Sequence, residues 1–145
     1  MITRQIMNQK EPDFIDVQPQ HSILIVDDDK NIREGLARAL SDAFKTYKAA
    51  NGREAMDIIN SNSDIRIVVS DYEMPELNGI ELFDMIRNGK TKVGFIFVTG
   101  STSIESAVDA MKKGAFDYMT KPVDLMKLET TIHHAINNTK EMMAH

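Results

Sequence analysis

Three short runs in this chain are apolar almost without interruption: "SILIV", "IRIVV" and "GFIFV". A strand that is apolar at successive positions has no face to offer to water. It belongs in the interior of a parallel sheet, covered by helices on both sides. Each run is followed within a residue or two by a polar side chain: Asp27, Asp71 and Thr99. A buried strand that ends on an aspartate, as in "IVVSDYEMPELNG", either uses it for turn geometry or holds a carboxylate at the sheet rim for chemistry.

The segments between the runs have helical period. In "NIREGLARALSDAF", Ile32, Leu36, Ala39, Leu40 and Ala43 share a face. In "GREAMDIINS" the stripe is Ala55, Met56 and Ile59, and in "GIELFDMIRNG" it is Ile80, Phe83 and Ile86, with Gly89 as the expected stop. "SIESAVDAMKKGA" is expected to be a helix capped by Gly114. "LMKLETTIHHAINN" aligns Leu125, Leu128, Ile132 and Ile136. "TYKAA" and "FDYMTKP" supply a second and a fifth strand. Five strands alternating with five helices predict an α/β doubly wound (βα)5 domain, a parallel sheet between two helical layers. Ligands of such sheets bind at the carboxyl ends of the strands.

The length of 145 residues suits one domain. The N-terminal 20 residues, with Pro12 and Pro19, read as a flexible tail whose Ile6, Phe14 and Ile15 could dock elsewhere. The domain spans 21–138, and 139–145 read as a C-terminal tail or the start of a linker. With no cysteine, disulfides, thiolate metal sites and cysteine nucleophiles are excluded. No run approaches the ~18 apolar residues of a membrane span. There is no signal-peptide pattern, so a cytoplasmic location is expected. The net charge of -5 and scattered Lys and Arg argue against direct nucleic-acid binding.

Strand 1 delivers Asp27, Asp28 and Asp29 to the rim, strand 3 Asp71, strand 4 Thr99, and strand 5 Lys121 with Pro122. Singly, each could be a cap, a strand residue or a surface charge. Together, carboxylates without His or Cys suit a hard divalent ion, Mg²⁺ above all. A metal, a hydroxyl and a lysine around a carboxylate form a phosphoryl site.

At these residues the chain closely resembles the receiver domain of two-component response regulators. The matching pieces are "ILIVDDD", "VVSDYEMPELNG", "FIFVTG" and "GAFDYMTKP", in family order, and the likeness covers residues 22 to about 138. The resemblance implies a flavodoxin-like sheet of order 2-1-3-4-5. It implies a signalling phosphoacceptor rather than an enzyme, with Asp71 receiving phosphate from a sensor histidine kinase or phosphotransfer protein. Mg²⁺, for which Mn²⁺ could substitute, would be held by Asp28, Asp71 and the Glu73 backbone carbonyl, with Asp27 acting through water. Thr99 would be the switch hydroxyl, Lys121 the ion-pair partner of the phosphoryl group, and the Lys121–Pro122 peptide cis. Tyr118 holds the switch-aromatic position and could equally be a half-buried strand tyrosine. Glu73 and Ser101 are the variable positions that tune phosphoryl lifetime, and Asp29 is a loop or capping residue.

Output is expected through the helix 4–strand 5–helix 5 face, including Ser103 to Lys113, Phe116 to Met119 and Leu125 to Asn137, as a homodimer or against an output domain or target. Its exposed charges, among them Glu105, Asp109, Lys112, Lys113, Lys127 and Glu129, also fit a merely solvated face. "GAFDYMTKP" is similar to receivers joined to transcriptional activators. A stand-alone receiver and the N-terminal piece of a longer regulator both stay open. Two alternatives compete: a haloacid-dehalogenase-like phosphatase using Asp27 of Asp27-x-Asp29, and a receiver-like interaction module without phosphorylation. The phosphatase pattern falters at Asn31 and lacks an acidic cluster after the lysine. A nucleotide-binding Rossmann module fits less well still, because the first strand-to-helix turn, "DDDKN", is acidic where pyrophosphate needs glycines and amide donors.

Overall fold

The computed structural model describes residues 21–89, 92–100 and 104–144, with side chains to Thr139. Expectations for residues 1–20 and for Ser101 and Ser103 lie outside the described residues. The elements are β1 (Ser22–Val26), α1 (Lys30–Leu40), β2 (Lys45–Ala49), α2 (Gly52–Ser61) and β3 (Ile65–Ser70). Then come α3 (Gly79–Arg87), β4 (Gly94–Thr99), α4 (Ile104–Lys112), β5 (Asp117–Thr120) and α5 (Leu125–Ala144). The sheet order is β2-β1-β3-β4-β5, and every neighbouring pair is parallel. This is the expected 2-1-3-4-5 arrangement.

The continuous apolar runs serve two cores, because alternate strand residues face opposite sides. Ile23, Ile25, Ile67, Val69, Ile96 and Val98 pack on one side with Leu36 and Leu40 of α1 and Leu128, Ile132 and Ile136 of α5. Leu24, Val26, Val68, Phe95 and Phe97 pack on the other with Ala55 and Ile59 of α2 and Leu82, Phe83 and Ile86 of α3. The edge strand β2 carries exposed Lys45 and Lys48, which suits a strand with one open side.

Local signals set the helix starts. Asp29 caps α1 by accepting from Asn31 N and Ile32 N, and Asn51 caps α2 by accepting from Glu54 N. Asn78 and Glu81 form a reciprocal capping box on α3. Gly114 ends the α4 segment at φ 107°, a conformation open chiefly to glycine.

Several helix details differ from the sequence reading. Ala37, not Ala39, is the buried alanine of α1. Leu82 is fully buried on α3 where Ile80 was expected, and Ile80 only packs at the margin. Leu125 is 43% exposed because it opens α5 beyond the edge of the core. α3 stops just before Gly89, as expected, but not through a left-handed glycine: its C-cap Asn88 is in right-handed helical conformation and Gly89 has no positive φ. Helix α5 continues to Ala144, through residues that read as a tail or linker.

Candidate functional site

The carboxyl rim is built by extending the sheet ladder one residue past its strands. Asp27 N donates to Ala49 O at 3.1 Å, and Asp71 N donates to Val26 O at 2.9 Å. Both aspartates therefore leave the sheet with a fixed backbone, and both are buried, at 2% and 8% exposure. Asp28 follows on the exposed side of the turn. Carboxylate oxygens of Asp27, Asp28 and Asp71 lie within 4.8 Å of one another.

Lys121 arrives from the far side of the sheet. Its N–H donates to the Thr99 carbonyl at 2.8 Å, which seats the end of β5 against β4. Its Nζ donates to Asp27 Oδ2 at 2.9 Å and to Asp71 Oδ2 at 3.0 Å. The Lys121–Pro122 peptide is cis, as expected. Asp27 Oδ1 accepts from Asp29 N at 2.9 Å, and Asp71 Oδ1 accepts from Glu73 N at 3.2 Å. Thr99 is buried at the end of β4. Glu73 is exposed in the loop after Asp71.

Burial is the largest influence on Asp27 and pushes its carboxyl above the ordinary aspartate value; Lys121 and the Asp29 N–H offset this only in part. Burial is also the largest single influence on Lys121, and it acts downward. The hydrogen bonds and charges of Asp27 and Asp71 together outweigh it, leaving the ammonium above its ordinary value. The partners thus shift in senses that do not mirror one another. The lysine is shared by two carboxylates, whereas Asp27 has part of one lysine and a second carboxylate nearby. Negative charge is in excess, and the clustered ligand atoms are all carboxylate oxygens. That donor set fits a hard divalent cation.

Tyr118 is half-buried on β5, its ring 5.9 Å from Tyr72 and 6.1 Å from Phe97. Burial raises its hydroxyl above the ordinary tyrosine value. Asp29 is spent on capping α1, as anticipated, so the second aspartate of the phosphatase pattern does not join the clustered carboxylates.

A response regulator receiver domain model matches residues 23–133. The chain belongs to the receiver family of response regulators. Among curated relatives, the regulatory protein AtoC of Escherichia coli K12 is 38% identical over 117 residues, covering 79% of this chain and 25% of that protein. The DNA-binding transcriptional regulator NtrC of the same strain is 32% identical over 120 residues, covering 82% of this chain and 25% of NtrC. This receiver therefore spans about a quarter of the length of these relatives. Among solved structures, a receiver domain protein from Clostridium thermocellum superposes with a TM-score of 0.79 at 32% identity, covering 83% of this chain and 98% of that one. Receivers are signalling proteins of two-component systems, not conventional enzymes, and they pair with histidine kinases or phosphotransfer proteins. No helix among the described residues is long and apolar enough to cross a membrane.

Three residues of the receiver site escaped the sequence reading in these roles. Ser70 Oγ donates to the Asp71 carbonyl at 2.9 Å. Gly79 opens α3 against Asp71: a Cβ there would fall on the Asp71 carbonyl oxygen and crowd Phe97, so only glycine permits the approach. Arg33 donates from Nη1 to the Asp27 carbonyl at 2.8 Å. A signal for Arg33 was present, since a cation in a first helical turn opposes the helix dipole unless an anion lies near.

Proposed function

We propose that this receiver is a phosphorylation-activated switch with Asp71 as the phosphoacceptor. The observation that carries this is Lys121 Nζ bridging Asp27 and Asp71 inside a cluster of three rim carboxylates. An Asp71 carboxylate oxygen attacks phosphorus in line with the phosphorus–nitrogen bond of a phosphohistidine on the kinase or phosphotransfer protein. That bond breaks, and the imidazole leaves with its electron pair and takes a proton from solvent. Asp28, Asp71 and the Glu73 backbone carbonyl would hold Mg²⁺, or Mn²⁺, with Asp27 acting through water. The bound ion supplies charge neutralisation to the phosphoryl oxygens.

After transfer, Asp71 carries nearly double its charge and three strong acceptor oxygens. Lys121 loses part of its carboxylate pairing and turns to the phosphoryl group, and the Thr99 hydroxyl donates to it. Movement at Thr99 pulls the loop leading into α4 and re-sets the α4–β5–α5 face, by which the chain dimerises or engages an output domain or target. The packing of α4 supports this. Only Ala110 of that helix is buried, while Ile104, Val108 and Met111 are exposed. An element with so few apolar anchors shifts at low energetic cost.

Intact mass after incubation with Mg²⁺ and acetyl phosphate tests the assignment. One phosphate adduct is expected, dependent on Mg²⁺ and labile to hydroxylamine, and absent in Asp71→Asn. An adduct that persists in Asp71→Asn but disappears in Asp27→Asn would overturn it in favour of phosphatase-like chemistry.

A further inference from the structure

We infer that Arg33 is a positioning residue for the divalent-cation site, setting its affinity by fastening the backbone of the acidic turn; this rests on the proposed receiver chemistry. The Asp27 carbonyl lies one residue past β1, where the strand ladder ends. There it accepts the Arg33 guanidinium across six residues of chain. Arg33 itself begins the helical bonding of α1, its N–H donating to Asp29 O at 2.9 Å. One residue thus ties the start of the helix to the end of the strand, with Asp27, Asp28 and Asp29 between them. Its side chain is only 14% exposed, so the tie is held in place by its surroundings.

Charge makes the arrangement informative. The first turn of α1 has no acidic residue and carries Lys30 and Arg33 at the positive end of a helix. Two effects of the guanidinium on a metal site then oppose each other. As a cation it repels Mg²⁺; as a clamp it holds the ligating turn in one shape. Positioning dominates. The guanidinium is bonded to a neutral carbonyl rather than to any of the clustered carboxylates, and the Glu34 carboxylate, itself held by Lys48 at 2.9 Å, lies 3.8 Å from its Nε. Partners that orient metal ligands commonly change affinity by a factor of 10–100.

The two effects predict opposite signs, which calorimetric titration of MgCl₂ into the whole chain can separate. Arg33→Gln is expected to weaken Mg²⁺ binding on the order of tenfold. Arg33→Lys keeps the charge and one donor but loses the planar fork, and is expected to weaken it about threefold. Tighter binding in Arg33→Gln overturns the inference in favour of simple charge repulsion. Unchanged affinity with a lowered melting temperature overturns it in favour of a purely structural role. If Arg33→Gln does not fold, Arg33→Lys decides, and an affinity equal to wild type overturns the proposal. A wild-type chain that binds no Mg²⁺ removes this inference and the receiver chemistry together. Normal wild-type binding and Asp71 phosphorylation with an indifferent Arg33 remove this inference alone.

Discussion

At the carboxyl rim Asp27 is buried beside Asp71, and burial holds its carboxyl above the ordinary aspartate value. At the opposite rim Asp64 is about half-exposed, and a 2.6 Å hydrogen bond from Ser22, with help from Tyr47 and Lys45, holds its carboxyl below that value. The two residues have the same chemistry and opposite environments. Asp64 is solvated and supplied with donors, so its charge favours the fold. Asp27 sits where burial disfavours its charge, beside another carboxylate and a shared lysine. The proposed cation and phosphoryl chemistry would draw on such an environment, which costs the fold stability.

Substitutions at the two rims break or sharpen this contrast. Lys121→Met should have the largest effect, a loss of about 2 kcal/mol in denaturant unfolding at neutral pH, since it strands two buried carboxylates. The loss should shrink in acid, as those carboxylates protonate, and phosphorylation by acetyl phosphate should slow. A variant as stable as wild type would show that solvent already screens the pair. Asp27→Asn should go the other way, stabilising the metal-free chain by about 1 kcal/mol while weakening Mg²⁺ binding. The sign follows from the raised value. The folded state prefers protonated Asp27, so wild type is penalised in full above the folded value, and the gain should fade as pH falls from the folded value toward the unfolded aspartate value, about 4, and be absent below it.

The smallest effect belongs to Asp64→Asn, a loss of about 0.5 kcal/mol, discounted for solvent screening. Here the folded value is lowered. The contribution is present above the unfolded aspartate value and lost as pH falls through the folded one. The unfolding curves of Asp64→Asn and wild type should therefore converge in acid. Divergence there would mean that Ser22 and Tyr47 do not recognise the charged form.

The fold was legible because its signals are local. Apolar runs, helix-period segments and the cap at Asp29 each act within a few residues. The errors fell where a face is chosen by what lies across from it. Ile80 and Leu82 are equally apolar, and only the opposing sheet selects Leu82 for the core. Leu125 matches the α5 stripe, but the core ends before reaching it. The site was legible as residue types at strand ends, and the resemblance supplied their roles. The shared Lys121 bonds and the reach of Arg33 were not legible, because each joins atoms set by the pitch and register of separate elements.

By itself the sequence determined an interior parallel sheet, the order of its elements and the acidic, hydroxyl and ammonium groups placed at one rim. Apolar periodicity and strand length need no partner to be read. The tertiary structure decided which carboxylates share Lys121, which aspartate burial disfavours, and how close α3 comes to Asp71. Those follow from distances of a few ångströms between residues up to 94 positions apart, which packing alone sets.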